Sequence, residues 1–500
     1  MNYSFDTSDI EGGADGPRRY RSLPGNLVQT LRRAVDRNPA GEALVEIGGD
    51  RVTYTQLWDR AARVAGGLRE AGVQPGDRVA LRLPNGTDWA LAFWGTVLAG
   101  AVVVPVNLRF AAEEVAYVVE DSGAGYLVEP GVRLPDGRPV AVEDQGRDDL
   151  AGIFYTSGTT GFPKGAMTTH ENFLSSIENV IRCVPLDRSE EWRTLISVPL
   201  FHVTGCDSQL LTMAGLAGTS VLMPAFHVKQ FLRAIPEERI SFLVSVPAIY
   251  WLAMHQAEFA DTDVSTVRSL NYGGAPIAPH LVTRIQESFP RARVGNGFGL
   301  TETAAVATYL PHEWAAGHAD SVGFPVPVVD VRVADPHPGT GAGELLIRGP
   351  NVVAGYWRKP QQTAETFADG WLHSGDIARV DDEGLVYIVD RAKDMINRGG
   401  ENVYSIEVEN ALSAHLAVAE VAVVGVPDPM MGERSAPSSC RTPEAPWDRT
   451  SWSPSRPSAS PTSRYRSTWS YGPSRCRRTP PARCSRRCLR EQIQWGRPLR

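Results

Sequence analysis

The stretch "YTSGTTGFPKGAM", Tyr155–Met167, restricts the fold more than any other part of the sequence. It follows the apolar run "AGIF", so the pattern predicts a loop that leaves the end of a strand. Its Ser, Thr and Gly residues offer small hydroxyls and unhindered backbone N–H groups, and Lys164 adds a cation. Such a loop can wrap a polyphosphate, because hydroxyls and amides donate to the oxygens while lysine offsets their charge. It is not the Walker pattern, and a mobile surface loop is the alternative interpretation.

Helical and β-branched patterns alternate on both sides of this loop. Amphipathic runs such as "YTQLWDRAARVAGGLREAG" are followed by short runs such as "GAVVVPV", which is typical of α/β units around a parallel sheet. After about Ser321 the pattern changes to short strands with Gly and Pro turns, which predicts a small antiparallel sheet or distorted barrel. A separate, small α+β domain is predicted to begin near Arg391.

The predicted fold class is therefore α/β, with a large N-terminal domain of parallel-sheet units plus a small antiparallel sheet or barrel, followed by a small α+β C-terminal domain that is incomplete. The predicted boundaries are a flexible leader at 1–22, the large domain at 23–390, the start of the small domain at 391–434, an anomalous segment at 435–488 and a C-terminal remnant at 489–500.

The anomalous segment differs in composition from the rest of the chain. From Ser435 to Cys488 there is no Val, Ile, Leu, Met, Phe or Lys, but there are eleven Arg, thirteen Ser and nine Pro. A segment without large aliphatic side chains cannot build a core. The preceding run "VAEVAVVGV" is therefore expected to lack partner strands and to expose an edge, with low solubility or low activity as the result.

Charge and cysteine content restrict the class of protein. The formal net charge is −7; the anomalous segment carries +9, so the remainder carries −16. An acidic body argues against nucleic acid or an anionic membrane as the main partner. Only Cys183 and Cys206 lie outside the C-terminal anomaly, which fits a reducing compartment. Since the sequence shows no signal peptide and no apolar run of the roughly 20 residues that a spanning helix needs, we expect a cytoplasmic protein.

From about Leu27 to Glu433 the chain resembles the adenylate-forming enzymes, which include acyl- and aryl-CoA synthetases, peptide-synthetase adenylation domains and firefly-type luciferases. The loop described above looks like the phosphate-binding signature of that superfamily. Each further motif is weak alone, but their order and spacing are specific. They are "PLFHVTG" (Pro199–Gly205), "NYGGAPI" (Asn271–Ile277), "NGFGLTET" (Asn296–Thr303), "GELLIRGPNVVAGYW" (Gly343–Trp357), "WLHSGDIARVDDEGLVYIVDRAKDMI" (Trp371–Ile396) and "RGGENVYSIEVE" (Arg398–Glu409).

The resemblance implies an ATP site. Phe298 and the glycines around it would hold adenine, Thr301 would contact the α-phosphate, and Glu302 would hold Mg²⁺. On the residues alone, "FGLTE" is a helix start capped by Thr and Asp376 is a turn residue; in the family, this Asp accepts hydrogen bonds from the ribose and Arg391 assists. The implied ATP- or AMP-binding residues are Thr156, Ser157, Gly158, Thr159, Thr160, Lys164, Gly273, Gly274, Ala275, Pro276, Asn296, Gly297, Phe298, Gly299, Thr301, Asp376 and Arg391.

Other residues are implied to serve the acid and CoA. In the acyl- and aryl-CoA branch, the histidine that matches His202 closes or lines the carboxylate pocket, although a structural histidine is the alternative. Lys393 matches the hinge of a small domain that swings between two half-reactions, and Gly399 and Gly400 would lie along the CoA tunnel. The implied catalytic residues are Lys164, His202, Thr301, Glu302 and Arg391.

The resulting prediction is an ATP-dependent carboxylate–CoA ligase that uses ATP, Mg²⁺ and coenzyme A. A carboxylate attacks the α-phosphorus of ATP to give acyl-AMP and pyrophosphate, and the CoA thiol then displaces AMP. Positioning and charge stabilisation carry most of such a reaction. The predicted pocket segments 202–205, 244–249, 272–275 and 297–304 are mostly small and apolar, which favours a fatty or aryl acid over malonate. The sequence does not distinguish between a monomer and a homodimer as the oligomeric state.

The chain departs from the family where a catalytic lysine is expected. Counting back from "LREQ" (Leu489–Gln492) places that lysine near Arg483, but no lysine follows Lys393. The planar guanidinium of an arginine does not replace the compact ammonium group of a lysine. Two compensating reading-frame shifts would explain a segment of natural length with altered chemistry, and a genuine disordered tail is the alternative. Two further hypotheses therefore stay open: an adenylate-forming enzyme with another acceptor, such as a carrier-protein thiol, and a catalytically impaired ATP-binding product.

Overall fold

The computed structural model describes residues 3–13, 16–156, 163–275, 277, 279–392, 394–398, 401–405, 408–409, 412, 418–428 and 432–441. Most of the predicted anomalous segment and the predicted C-terminal remnant lie outside this range. The chain divides into two compact units. Unit 1 comprises Met1–Ala334, Leu345–Ser374 and Val380–Tyr387, and unit 2 comprises Asp335–Glu344, Gly375–Arg379 and Ile388–Arg500. The domain boundaries drawn from the sequence stay predictions.

The strands are β1 (Ile10–Glu11), β2 (Arg19–Tyr20), β3 (Glu42–Glu46), β4 (Arg51–Thr53), β5 (Arg78–Leu81), β6 (Val102–Pro105), β7 (Tyr126–Val128), β8 (Leu150–Thr156), β9 (Lys164–Thr169), β10 (Arg193–Ile196), β11 (Thr219–Leu222), β12 (Phe242–Ser245), β13 (Ser269–Gly273), β14 (Arg293–Phe298), β15 (Thr308–Leu310), β16 (Phe324–Pro325), β17 (Asp330–Ala334), β18 (Gly343–Arg348), β19 (Phe367–Ala368), β20 (Trp371–Val380), β21 (Val386–Arg391), β22 (Ile396–Arg398), β23 (Glu401–Val403), β24 (Val418–Asp428) and β25 (Gly432–Arg441).

The α-helices are α1 (Leu27–Arg37), α2 (Tyr54–Glu70), α3 (Thr87–Leu98), α4 (Ala112–Ser122), α5 (His170–Cys183), α6 (Val203–Gly205), α7 (Thr212–Leu216), α8 (Val228–Glu237), α9 (Pro247–Met254), α10 (Pro279–Ser288), α11 (His312–Ala315) and α12 (Pro360–Thr366). A π-helix spans Cys206–Leu211, and 3₁₀ turns span Ala257–Asp261 and Thr301–Thr303.

Unit 1 contains a nine-stranded sheet whose centre is parallel. Its strand order is β16-β15-β14-β13-β12-β10-β11-β3-β4. Neighbours from β14 to β3 are parallel, whereas the outer pairs β16–β15, β15–β14 and β3–β4 are antiparallel. The central strands are short apolar runs that are buried, as expected for parallel strands covered by helices on both faces. The predicted α/β class is confirmed.

A second sheet in unit 1 has the order β7-β5-β6-β8-β9 and is parallel except for the pair β8–β9. Helix α3, "TDWALAFWGTVL", is buried at every position except Asp88. It packs closely on α2 because Gly95 leaves room for a neighbour: a Cβ at this position would lie 2.4 Å from the Val64 side chain. In the described part of the chain, no helix is long and apolar enough to cross a bilayer.

The described residues of the N-terminal leader pack on the rest of unit 1, whereas the sequence predicts a flexible segment. Tyr20 is 2% exposed, and its hydroxyl donates to Asn179 Oδ1 at 2.7 Å. The Arg182 guanidinium lies 4.5 Å from the Tyr20 ring centroid, and Tyr3 stacks on Phe324 with centroids 5.4 Å apart. Sequence analysis did not predict this packing because the anchors are single aromatic residues in a polar stretch without periodicity.

Strands β17 to β21 form a five-stranded sheet in the part of the chain where the sequence predicts a small antiparallel sheet. Strands β22 to β25 form a four-stranded antiparallel sheet in unit 2, in the order β23-β22-β25-β24, around a small core of Ile396, Val403 and Val423. The sequence predicts that β24 lacks partner strands, but β24 pairs with β25 from Val418↔Arg441 to Asp428↔Gly432. The backbone hydrogen bonds of such a ladder do not require apolar side chains, so the Ser-rich composition of β25 does not prevent them; Pro437 is the one residue of β25 without an N–H to donate.

A buried histidine joins β9 to α5. Thr169 caps the helix by accepting from the Asn172 N–H, and His170 follows as its first residue. The His170 side chain is buried, and its Nδ1 accepts a hydrogen bond from the Leu27 N–H at 3.2 Å. Burial lowers the pKa of His170 to about 4 from an ordinary value of 6.5. Between these two values the unfolded chain binds a proton that the folded chain does not, so stability falls as the pH drops from about 6.5 to about 4.

Replacing His170 with Gln is expected to flatten the pH dependence of unfolding in this window. The histidine lowers the free energy of unfolding by up to about 3 kcal/mol as the pH falls through this window, since each pKa unit corresponds to about 1.4 kcal/mol. Melting temperatures of the parent and the variant between pH 4 and 6.5 measure the effect. His227→Gln, at an exposed histidine, is the matched control. Equal slopes for the parent and His170→Gln would contradict the prediction.

Candidate active site

The carboxyl ends of four neighbouring parallel strands meet at one edge of the nine-stranded sheet. β10 ends at Ile196, β12 at Ser245, β13 at Gly273 and β14 at Phe298. In open α/β sheets, ligands bind in the crevice outside the carboxyl ends of such strands. The four segments that the sequence predicts as pocket walls lie at or just after these strand ends, so the structure gathers them at this edge.

The ends of β13 and β14 approach each other without intervening side chains. Gly273 pairs with Gly297, and a Cβ on Gly273 would lie 2.2 Å from the Gly297 carbonyl oxygen. A Cβ on Gly299 would lie 1.5 Å from the Ala305 carbonyl oxygen. Glycine is therefore required at 273 and 299, and a bare backbone surface is left next to the half-buried ring of Phe298.

The neighbouring residues that the family resemblance assigns to ATP or AMP binding have different environments. Gly274 is exposed with φ +69°, which favours glycine, and Ala275 is half-buried. Asn296 is buried and donates through Nδ2 to the Ser321 carbonyl at 3.2 Å, so its side chain ties β14 to the segment before β16. Pro276 lies outside the described residues.

Alanine at Gly299 is expected to destabilise the protein strongly, whereas alanine at Gly297 is expected to leave the melting temperature nearly unchanged. At 299 the new methyl would collide with backbone, which cannot move aside as a flexible side chain does, and overpacking of this kind costs about 1–3 kcal/mol or more. At 297 the nearest heavy atom is Val306 Cγ2 at 3.9 Å, an ordinary contact. Thermal unfolding of both variants measures the difference, and equal melting temperatures would contradict it.

The turn Thr301–Thr303 is a single 3₁₀ turn and not the start of the α-helix that "FGLTE" alone predicts. Asn351, which is fully buried, fixes the turn by donating through Nδ2 to the Thr303 and Val306 carbonyls at 2.9 and 3.0 Å. The side chains of Thr301 and Glu302 are thereby held, half-buried, just beyond the end of β14.

Tyr356 links Glu302 to Lys164. Its hydroxyl donates to Glu302 Oε1 at 2.6 Å, and Lys164 Nζ lies 4.7 Å from its ring centroid, in reach of a cation–π interaction. Burial and the Glu302 carboxylate raise the pKa of Tyr356, so its hydroxyl stays protonated at neutral pH. Tyr356 lies in the motif Gly343–Trp357, but the sequence analysis assigned it no role. A tyrosine that follows a glycine is too common a pattern to indicate a function.

The predicted phosphate loop connects two antiparallel strands. β8 and β9 pair from Leu150↔Thr169 to Thr156↔Lys164, so Thr156 and Lys164 face each other at the base of the loop. The predicted contacts Ser157, Gly158, Thr159 and Thr160 lie outside the described residues.

A buried carboxylate fixes this hairpin to the chain that carries Tyr356. Asp121 accepts from the Tyr155 hydroxyl and from Lys359 Nζ, both at 2.8 Å, and its carbonyl accepts from Trp357 Nε1 at 3.0 Å. The Asp121 side chain is 8% exposed. No local sequence pattern predicts this group, since its members are up to 238 positions apart.

His202 lies beyond the end of β10, immediately before α6. Its ring is exposed and lies 4.6 Å from the Phe201 ring. The helix that follows continues as the π-helix Cys206–Leu211, an irregularity that is frequent at functional sites. The position of His202 at the carboxyl edge of the sheet is compatible with a pocket residue.

In unit 2, Asp376 pairs with Arg391. Asp376 lies inside β20 and is 2% exposed, so it is not the turn residue that the sequence alone predicts. Arg391 Nε lies 2.6 Å from Asp376 Oδ1, and this ion pair compensates the burial of the carboxylate. Lys393, Gly399 and Gly400 lie outside the described residues.

Comparison with known proteins identifies related enzymes. The chain matches the family described as AMP-binding enzyme over residues 31–135 and 129–357, and the AMP-binding enzyme C-terminal domain over residues 407–437. It is 39% identical over 413 residues to a feruloyl-CoA synthase of Amycolatopsis sp, covering 78% of this chain and 83% of the relative. It is 34% identical over 449 residues to the long-chain-fatty-acid–CoA ligase FadD13 of Mycobacterium tuberculosis, covering 82% and 88%.

A solved structure shows the same similarity in three dimensions. The o-succinylbenzoate CoA synthetase MenE from Bacillus subtilis, in complex with its acyl-adenylate intermediate OSB-AMP, superposes with a TM-score of 0.75 at 27% identity. The match covers 84% of this chain and 89% of the other.

Proposed function

This chain belongs to the AMP-binding enzyme family, and from that premise we propose how its residues perform the two half-reactions of an ATP-dependent carboxylate–CoA ligase. The first half-reaction joins a carboxylate to the α-phosphorus of ATP and releases pyrophosphate. The second transfers the acyl group from AMP to the thiol of CoA. Both reactants are already activated, so the protein contributes mainly position and charge.

The ATP site is assigned to the carboxyl edge of the nine-stranded sheet. Two observations carry this assignment. One is the Lys164–Tyr356–Glu302 group, in which Glu302 follows the end of β14, and the other is the bare backbone of Gly273 and Gly297 at the ends of β13 and β14. Adenine would lie against that backbone and Phe298, and the triphosphate would extend toward Thr301, Lys164 and the predicted phosphate loop. Ribose binding by the Asp376–Arg391 pair of unit 2 stays a proposal from the family.

The donor set fits Mg²⁺, which the family implies. Mg²⁺ in nucleotide-dependent enzymes is usually held by one or two carboxylates together with substrate phosphates. Glu302 offers such a carboxylate, and the Tyr356 hydroxyl would orient it through their 2.6 Å hydrogen bond. When bound, the ion supplies charge neutralisation on the triphosphate.

The acid is proposed to be a fatty or aryl acid and the acceptor to be CoA. The pocket segments after β10, β12, β13 and β14 carry small and apolar side chains, with His202 at their rim. The relatives named above are a feruloyl-CoA synthase and a long-chain-fatty-acid–CoA ligase, which supports both acid classes. Lys393 as the hinge, and Gly399 and Gly400 along the CoA path, stay proposals from the family.

The test is product analysis with the full chain at high enzyme concentration. ATP, Mg²⁺ and CoA are supplied with ferulate, decanoate or malonate, and acyl-AMP and acyl-CoA are followed by mass spectrometry. We expect acyl-CoA from ferulate or decanoate, little from malonate, and acyl-AMP when CoA is omitted. Thioester formation on a holo carrier protein but not on CoA would overturn the proposed acceptor.

A second candidate, an impaired ATP-binding product, is favoured by one observation. The match to the C-terminal family domain stops at residue 437, close to the break that the sequence shows at Arg434. This candidate predicts ATP binding without pyrophosphate exchange for any acid tested.

A further inference from the structure

A cavity of about 380 Å³ lies in unit 1 between the leader, α1, α5 and α7. Its apolar part includes Ala34, Leu174, Ile177 and Ala214. Its charged part includes four arginines, two on α1 (Arg33, Arg37), one on α5 (Arg182) and one after it (Arg188), against two acids, Asp9 and Glu178. It is lined by none of the residues assigned to the ATP site.

Two of the three arginines of α1, Arg33 and Arg37, have no carboxylate partner among the described residues, whereas Arg32 pairs with Glu143 at 2.6 Å. Glu178, the acid of α5 that lines the cavity, is shared by Arg182 at 2.7 Å and Arg188 at 2.5 Å. Arg37 donates to the Arg188 backbone carbonyl. Arg33 is exposed and makes no hydrogen bond or ion pair with any described residue. The cavity therefore combines an apolar wall with uncompensated positive charge at its rim.

We propose that this cavity is a binding site for a small amphipathic anion, separate from the ATP and acid sites. The apolar body of the ligand would pack on Leu174, Ile177 and Ala214, and a carboxylate or phosphate head would bind Arg33 and Arg37. Guanidinium groups suit both heads because their planar donors bind carboxylate and phosphate in pairs. The cavity volume lies within the range of small-molecule sites, roughly 300–1,000 Å³.

The position of the cavity connects it to both parts of the active site. Its wall includes the C-terminal half of α5, and α5 begins directly after β9, the strand that starts at Lys164. Its wall also includes α7, which continues without a break from the helical segment that begins after His202. A ligand that fixes these two helix ends can therefore alter the enzyme as an effector. The binding proposal itself does not depend on the ligase activity.

The test is site-resolved hydrogen exchange of the full chain with defined probes. Phenyl phosphate and 3-phenylpropanoate carry both an anionic head and an apolar body. Inorganic phosphate carries only the anionic head, and 3-phenylpropan-1-ol carries only the apolar body. We expect one or both amphipathic anions to protect peptides from α1 and from the C-terminal half of α5, and neither control probe to do so at the same concentration. Which anion protects better identifies the preferred head.

Two variants and a control connect the protection to the cavity. Arg33→Gln with Arg37→Gln is expected to weaken binding by about tenfold or more, the size of one lost charge-assisted hydrogen bond. Ala214→Leu is expected to fill the cavity and abolish binding without changing charge. Arg133→Gln removes one positive charge at a side chain that is 90% exposed and outside the cavity, and it should leave affinity unchanged. Protection confined to the ATP-site strand ends, equal protection by phosphate alone, or affinity unaffected by both cavity variants would overturn the proposal.

Discussion

Replacing residues 435–488 with the segment that occupies this place in a relative is expected to raise ATP–pyrophosphate exchange by about a hundredfold or more. The family resemblance expects a lysine near Arg483 that bridges the carboxylate and the α-phosphate, and no lysine follows Lys393 in this chain. Loss of one such preorganised charge typically costs about 10²–10³ in rate. Exchange of radiolabelled pyrophosphate into ATP, with ferulate or decanoate as the acid, measures the gain.

A single substitution gives the matched control for this replacement. Arg483→Lys restores the charge type but not the core around it, because the segment has no large aliphatic side chains. We expect it to recover little of the activity. The full chain before replacement should still bind ATP, since the residues proposed to hold adenine and phosphate lie before the anomalous segment.

Two results would contradict this account. Normal turnover by the chain as written would show that the missing lysine is not needed. Failure of the replaced chain, with a cooperative melting transition that proves it folded, would place the defect elsewhere. Sequencing the coding DNA from codon 430 to codon 492 tests the origin of the segment: an alternative frame that encodes apolar strands and a Gly-Lys loop would support two compensating frame shifts.

The parts of the fold that sequence predicts well are those with local patterns. Alternating helical and β-branched runs predicted the parallel α/β sheets. The stretch Tyr155–Met167 was predicted to be a loop that leaves a strand end; β8 does end at Thr156, whereas Lys164–Met167 belong to β9. The glycines of "NGFGLTET" were assigned to a site for a flat group, adenine. The structure shows why position 299 requires glycine: a Cβ there would collide with the Ala305 carbonyl.

The parts that sequence missed depend on contacts between distant residues. Asp121 lies in α4 and Lys359 directly precedes α12, so the two residues come together only when the chain folds. Neither local sequence pattern predicts their ion pair. Asp376 was predicted to be a turn residue because Asp is common in turns, but it lies inside β20, where its pairing with Arg391 makes burial tolerable. The leader was predicted to be flexible because Tyr20 is a single aromatic anchor in a polar stretch.

Glu302→Gln is expected to lower adenylation by about a hundredfold or more in the chain with the replaced C-terminal segment, and to raise the Mg²⁺ concentration needed for half-maximal rate. Gln keeps the shape and can still accept the Tyr356 hydrogen bond, but it removes the negative charge that would hold the ion. Pyrophosphate exchange against Mg²⁺ concentration measures both effects. Binding of Mn²⁺ together with ATP, followed by electron paramagnetic resonance, gives a readout that does not depend on turnover.

Two further variants separate the proposed metal role from a structural one. Tyr356→Phe removes the 2.6 Å hydrogen bond to Glu302 but keeps the carboxylate, so we expect a loss of less than about tenfold, the size of one ordinary hydrogen bond. Glu365→Gln makes the same change on the exposed face of α12 and should have no effect. If Tyr356→Phe were as damaging as Glu302→Gln while Mn²⁺ affinity stayed unchanged in both, the carboxylate would serve to hold Tyr356 in place and Glu302 would not be the metal ligand.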